Sequence, residues 1–325
     1  MPFAANMRKE SIHDAICPVA EAARDMTIAA DWIAVDWGTS NMRAWALSAD
    51  NKVLAHGESP KGMGQLSPSE FEPALLEVVE KWLDSERVTP VMACGMVGAR
   101  QGWIEAEYAI TPTPPVAARP TRAPVTDRRI AVFILPGVSQ SAPPDVMRGE
   151  ETQIAGYIAS QGDNAVLCLP GTHSKWVDIA DGRIARFRTA MTGEVFALLA
   201  EKSVLRHSVG TSEWSDDAFA AGVSAGLEAP DILTRLFSIR AASLLEGASP
   251  QVSRARLSGL LIGAELAGTS DFWRGNAVAL VGASQLSALY QTALALAGVS
   301  AHRYDAQDMT LAGLCAARST LEDTQ

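Results

Sequence analysis

The stretch AVDWGTSNMRAW at 34–45 returns in altered form as CLPGTHSKWVDI at 168–179. Each begins in an apolar, strand-forming run, bends at a Gly-Thr pair and leaves through a short polar step into a second apolar run. Two such bends, so far apart in one chain, impose a duplicated plan: a strand–turn–strand unit opens each half. At 325 residues the chain is long enough for two cores of ordinary size.

The flanking patterns support that plan. WIAVDW (32–37), MRAWALSA (42–49) and KVLAHGES (52–59) alternate with period two and read as three antiparallel strands, with Asp50-Asn51 as a hairpin corner. A helix is expected over 68–84, capped by Ser67 with Pro68 at its first position. PVMACGM (90–96) reads as a buried strand, followed by a Pro-rich loop to about 125. RIAVFILPG (129–137) is the strand that closes the first half, and a helix runs from about 150 to 160. The second half restarts with NAVLCLPG (164–171), KWVDIAD (175–181) and RIARFRTAM (183–191), cornered at Asp181-Gly182. Helices are expected at 194–203, 214–227, 230–246, 250–268, 284–297 and 306–321, with strands at 277–282 and 300–304. The fold class is therefore α/β, with two lobes: 31–148 plus 305–325, and 149–304. Residues 1–30 lack the apolar run of a signal peptide and read as an extension with a loose helix over 10–25.

A bend of this kind can aim several backbone N–H groups at one point, and a glycine leaves the approach open. That is a phosphate-binding arrangement. Gly38, Thr39, Ser40 and Asn41 form the first bend, and Gly171, Thr172, His173 and Ser174 the second. Two copies on two lobes would grip a polyphosphate from both sides. Asp36, at the end of the first strand, would repel such a ligand unless a cation intervened. Mg²⁺ suits the place, because it keeps its waters and needs only one or two carboxylates. The alternative for either bend alone is an ordinary hairpin turn.

Composition narrows the partners. Hydrophobic residues make up 48% and charged residues 20%, with a formal charge of −10, which argues against nucleic acid and anionic membranes as partners. The four cysteines, Cys17, Cys94, Cys168 and Cys315, show no metal or disulfide spacing and fit a reducing, cytoplasmic setting. GVSAG (222–226) matches a serine-hydrolase elbow but lies in a helical stretch, not after a strand. There is no P-loop motif, and the five histidines have no metal spacing.

The doubled turn, DWGTSNMRAW with PGTHSKW, resembles the actin/hexokinase/Hsp70 superfamily, whose duplicated, ribonuclease H-like lobes handle ATP. With KGMGQL (61–66), ACGMVGARQGW (93–103), LPGVSQ (135–140), MRGEETQIAG (147–156), GLLIGAEL (259–266) and LVGASQLSALY (280–290), it looks like the 2-dehydro-3-deoxygalactonokinases. The resemblance spans about 31–320. It implies transfer of phosphate from Mg²⁺-ATP to the terminal, C6 hydroxyl of 2-dehydro-3-deoxy-D-galactonate, in galactonate breakdown, with another sugar acid as the alternative acceptor. The expected partners are ATP and that acid, and a homodimer is left open.

The resemblance also implies roles for residues. Lys175 would join the phosphate site, with a solvated strand residue as the alternative. Gly282, Ala283 and Ser284, with Gly259 and Gly263, would flank the adenosine, with close helix packing as the alternative for the last two. Glu151, ahead of Glu150, would accept the hydroxyl proton, and Asp36 competes for that role if it does not hold the metal. Arg43, Arg100 and Arg148 are candidates for the substrate carboxylate, and Lys61 and Gly62 for its hydroxyls. Trp37, Trp103 and Trp176 either wall the cleft or fill the core. A phosphohydrolase of the same fold and a non-catalytic nucleotide sensor are the competing functions.

Overall fold

A computed structural model describes residues 29–116, 119–210, 214–228 and 231–322. The expected helix at 10–25 and most of the leading extension lie outside these residues. The first half opens with β1 (Trp32–Trp37), β2 (Met42–Leu47) and β3 (Val53–Ser59), an antiparallel meander. Asn51 takes the left-handed conformation at the corner, with φ of 62°. Then come α1 (Phe71–Val79), β4 (Thr89–Cys94), β5 (Tyr108–Ile110), β6 (Thr121–Arg122) and β7 (Ile130–Ile134). They complete a six-stranded sheet in the order β3-β2-β1-β4-β7-β6, with β5 left out of it.

The helix expected over 68–84 is shorter, because Pro73 has no N–H to give to the carbonyl of Ser69. An α-helix therefore cannot run unbroken from 68. A 3₁₀ turn fills Pro68–Glu70 instead, stabilised by reciprocal hydrogen bonds between Ser67 and Glu70.

Two further strands, β8 (Gly137–Ser141) and β9 (Pro144–Met147), form a hairpin that joins β5 in a small sheet. The sequence reading missed this hairpin, because Pro143 and Pro144 and the polar Ser139 and Gln140 disguise the alternation. Two polar side chains of the hairpin have partners in the other half. The Gln140 side chain accepts the Phe187 N–H at 2.9 Å, and Asp145 accepts the Thr189 N–H at 2.7 Å.

The second half repeats the plan. After α2 (Glu150–Gln161) come β10 (Ala165–Leu169), β11 (Ser174–Ala180) and β12 (Arg183–Ala190), turned at Asp181-Gly182 with both residues at positive φ. The helices α3 (Thr192–Lys202), α4 (Asp216–Leu227), α5 (Ile232–Leu245), α6 (Pro250–Gly268) and α7 (Ser270–Trp273) follow. The chain then forms β13 (Val278–Gly282), α8 (Ser284–Leu296), β14 (Ala301–Asp305) and α9 (Ala306–Glu322). This sheet runs β12-β11-β10-β13-β14. In both sheets the central strand pairs antiparallel with its successor on one side and parallel with a later strand on the other. The duplication is thus one of topology, not of sequence identity.

Two helices connect the halves. Ile154 and Tyr157 of α2 pack into the core of the second sheet, and Leu314 and Ala317 of α9 pack on Trp32, Ala34 and Met92 of the first. The two helices cross where Gly156 and Gly313 have no side chain. A Cβ at either would lie within 2 Å of a carbonyl oxygen of the other helix, 1.9 Å for Gly156 and 1.8 Å for Gly313. Cys94 and Cys168 are buried in strands as small hydrophobes, and burial pushes both thiols far up. Trp37, Trp103 and Trp176 belong to the cores rather than to a cleft wall, with Trp37 and Trp103 packed around Phe71.

Candidate active site

Strands β1 and β4 run parallel, with Asp36 level with Cys94, so the carboxyl ends of both open at one edge of the first sheet. The ends of β10 and β13 open toward the same place from the second sheet. Between them lies a cleft of about 370 Å³. Asp36, Gly38 and Thr39 line it from the first half, and Gly171, Thr172 and His173 from the second. Gly282 and Ala283, Arg148 and Glu150 complete the set of expected residues found there. The two bends therefore do face one space.

Each bend is held from behind by glycine. In the first, the Gly38 N–H donates to the Asn41 carbonyl at 2.9 Å, which closes the turn. Ser40 and Asn41 do not line the cleft. The N–H groups of Met63 and Gly64 donate to the carbonyls of Gly38 and Thr39, each at 2.9 Å. Gly62 makes this approach possible, since a Cβ there would sit 2.2 Å from the Ser40 carbonyl carbon. Gly62 thus supports the turn, and Lys61 points away to pair with Glu77 at 2.6 Å on the surface. Neither is placed to touch a substrate in the cleft. The second bend is clamped by the start of α3. Glu194 donates its N–H to the Thr172 carbonyl at 3.0 Å, and its side chain meets His173 Nε2 at 2.5 Å.

The carboxylates separate by environment. Helix α2 begins at the cleft because Gly149, with φ of +105°, turns the chain against Gly95. A side chain at Gly149 would be strained. Glu150 lines the cleft, and Lys175 Nζ lies 3.2 Å from its Oε1. Lys175 is buried and also donates to the His173 carbonyl, so its charge is spent on Glu150 and it does not line the cleft. Glu151 is 1% exposed and turns back, both carboxyl oxygens accepting the Gly149 N–H. Burial, and then the neighbouring Glu150 charge, push Glu151 up to about 7. Of the two expected acceptors, Glu150 borders the cleft and Glu151 is locked under the helix start. At Asp36, burial raises the carboxyl, Arg43 opposes this and Glu150 adds to it.

The three arginines also part. Arg100 is 79% exposed and pairs with Glu105. Arg43 lies between Asp36, at 3.8 Å, and Glu58, at 3.3 Å. Arg148 is 8% exposed, stacks on Tyr108 at 4.3 Å and donates to the Ala106 carbonyl, while its Nε and Nη1 are buried without a partner.

Beside Gly171 a second, apolar cavity of about 190 Å³ is walled by Phe196, Trp214, Leu261, Ile262 and Leu289. Gly259 and Gly263 do not line it. They face α4, where a Cβ on them would lie 2.2 Å from the Phe219 oxygen and 2.3 Å from the Val223 oxygen. They mesh with Gly222 and Gly226, so GVSAG is one side of a helix crossing. The cavity uses the neighbouring face of α6, carrying Arg254 and Ser258. Ser284 opens instead onto a separate hollow with His302 and Arg303. Sequence reasoning also missed Gly95, Met96 and Gln153 in the cleft. Gln153 lies one helical turn beyond Glu150, and helical spacing was the signal that could have found it.

Among the described residues, no cluster of three or more His, Cys, Asp or Glu forms a metal cage. Two hard-oxygen side chains facing a phosphate-sized cleft do fit a cation that takes its other ligands from water and phosphate. No helix of the described residues is long and apolar enough to cross a membrane.

The family model described as 2-keto-3-deoxy-galactonokinase matches residues 36–317. A protein of Rhizobium meliloti strain 1021, named a probable 2-dehydro-3-deoxygalactonokinase, is 43% identical over 306 residues, covering 90% of this chain and 98% of the relative. The 2-dehydro-3-deoxygalactonokinase of Escherichia coli strain K12 is 40% identical over 274 residues, covering 83% and 91%. A crystal structure from Sinorhizobium meliloti, described as a protein of the same kind, superposes with a TM-score of 0.82 at 41% identity, over 89% of this chain and 99% of that one. The chain belongs to the 2-keto-3-deoxy-galactonokinase family.

Proposed function

We propose that this chain transfers the γ-phosphoryl group of ATP to the terminal, C6 hydroxyl of 2-dehydro-3-deoxy-D-galactonate. The family supports the substrate, and one observation supports the chemistry: both phosphate-type bends and the Glu150 carboxylate border a single cleft. Residues 31–148 with 305–322 act as one lobe and 149–304 as the other, the crossing of α2 and α9 serving as the pivot. Closure would exclude water that otherwise takes the phosphoryl group.

In this reading the backbone of Gly38–Thr39 and of Gly171–Thr172 holds the triphosphate. The apolar cavity beside Gly171 receives the adenine. Glu150 accepts the proton from the C6 hydroxyl as its oxygen attacks the γ-phosphorus and the bond to ADP breaks. Lys175 keeps that carboxylate in place. Asp36 would hold Mg²⁺, which would neutralise charge on the phosphates when bound. Arg148, which borders the cleft, is the candidate anchor for the substrate carboxylate, because a planar guanidinium can bind both oxygens in parallel. The setting is cytoplasmic, which suits the free cysteines in the strands.

The test is a coupled ADP-release assay with purified protein, Mg²⁺-ATP and a panel of 2-keto-3-deoxy acids, with the product's phosphate located by ³¹P NMR. Turnover specific to the galacto acid, phosphorylated at C6, is expected. Phosphate release from polyphosphate without an acceptor would favour a phosphohydrolase instead.

A further inference from the structure

Behind the second bend lies a buried polar cluster that the proposed chemistry does not use. Glu265 of α6 is 7% exposed, and three side chains from three other elements donate to it. Trp176 Nε1 of β11 reaches Oε1 at 2.8 Å, Tyr290 Oη of α8 reaches Oε2 at 2.6 Å, and the Thr192 hydroxyl at the start of α3 also bonds Oε2. Tyr290 Oη continues the chain to Ser174 Oγ at 2.8 Å, and Ser174 Oγ lies 3.5 Å from the Gly171 nitrogen.

These bonds end on both sides of the bend. On one side, Ser174 is its last residue and is tied through Tyr290 to Glu265. On the other, Thr192 fixes the start of α3, where Gly193 lies so close that a Cβ would be 2.4 Å from the Gly171 carbonyl oxygen. Thr192 and Tyr290 also border the apolar cavity. A buried carboxylate is an expensive way to fill a core, and an apolar side chain of similar volume is often at least as stabilising. Here burial raises the Glu265 carboxyl, while the hydroxyl and indole donors work against that rise. What the carboxylate gives in return is a single fixed geometry for four elements at once.

We infer that Glu265 is a positioning residue for the nucleotide, locking the second phosphate bend and the adjoining cavity into one arrangement so that triphosphate and base are bound together. The inference rests on the ATP-binding reading above. It assigns Glu265 no contact with either substrate.

Two variants test it: Glu265→Gln, which keeps the shape and removes the charge, and Tyr290→Phe, which cuts only the tie to Ser174. ATP affinity by calorimetry, KM for both substrates, kcat and Tm are measured on each. The expected result is ATP binding weakened about tenfold in Glu265→Gln and about threefold in Tyr290→Phe, with KM for the acid held within about twofold. ATP affinity unchanged in the folded variants, or affinity for both substrates lost in equal measure, would overturn the inference. If Glu265→Gln does not fold, Tyr290→Phe decides on the same criterion. Failure of the unaltered protein to bind nucleotide would instead overturn the kinase reading.

Discussion

The two bends share a shape and differ in what stands behind them. The first follows a strand with Asp36 next to its last residue and is propped by the backbone of the loop around Gly62. The second follows Pro170 and rests on a closed set of buried side chains centred on Glu265, with α3 across its face. A carboxylate at the first bend brings charge to the cleft. The second bend lies beside an apolar cavity, and its His173 meets the Glu194 carboxylate. On the proposed reading the two supports divide the labour, the first bend serving reaction and the second binding.

The comparison predicts distinct kinetic signatures. The largest effect is expected for Glu150→Gln, where loss of the proton acceptor should lower kcat by about a thousandfold, with ATP affinity nearly unchanged by calorimetry. An equal fall in Glu151→Gln would return the acceptor role to the buried neighbour. Next comes Asp36→Asn at the first bend, which should lower kcat about a hundredfold and raise the Mg²⁺ concentration for half-maximal rate. A rate profile in Mg²⁺ identical to that of the unaltered protein would remove Asp36 from the metal.

Two glycine substitutions sharpen the contrast further. Gly62 has an ordinary extended backbone, φ of −73° and ψ of 164°, so alanine there is opposed not by strain but by the backbone of Thr39 and Ser40, whose nearest atoms a Cβ would meet at 2.2–2.4 Å. Gly62→Ala should displace the first bend and lower kcat about tenfold, while Gly193→Ala should displace the second and raise KM for ATP by about the same factor. Identical kinetic changes in both would break the division of labour.

The smallest effect concerns stability. Glu151 titrates at about 7 in the fold against an ordinary 4.5, so between these values the folded chain holds a proton that the unfolded chain has released. Its contribution is complete below about pH 4.5 and is lost as pH rises through 7, amounting to no more than about 3 kcal/mol. Denaturant titrations of Glu151→Gln should therefore show a flatter fall in stability from pH 5 to 7 than the unaltered chain. Parallel curves would place the shift elsewhere.

Much of the fold was legible in the sequence because its signals are local. Period-two alternation marked β1 to β3 and β10 to β12, and Asn51 and Asp181-Gly182 marked their corners. The same locality explains the failures. The β8–β9 hairpin carries polar residues whose partners lie in the second half, so its alternation looks like a loop. Gly259 and Gly263 read as openings for a nucleotide, yet their spacing fits equally the backbone of α4.

The sequence by itself determined the doubled strand–turn–strand plan, the absence of a P-loop and the residues of both bends. These depend on backbone preference and on residues close in the chain. Only the tertiary structure decided which charges face the cleft. It turned Glu150 outward and Glu151 inward, spent Lys175 on Glu150 and Lys61 on Glu77, and left Arg148 with unused donors. Each of those outcomes rests on a partner distant in sequence or on the direction of a helix start, and charge is expressed only through the neighbours that desolvate or pair with it.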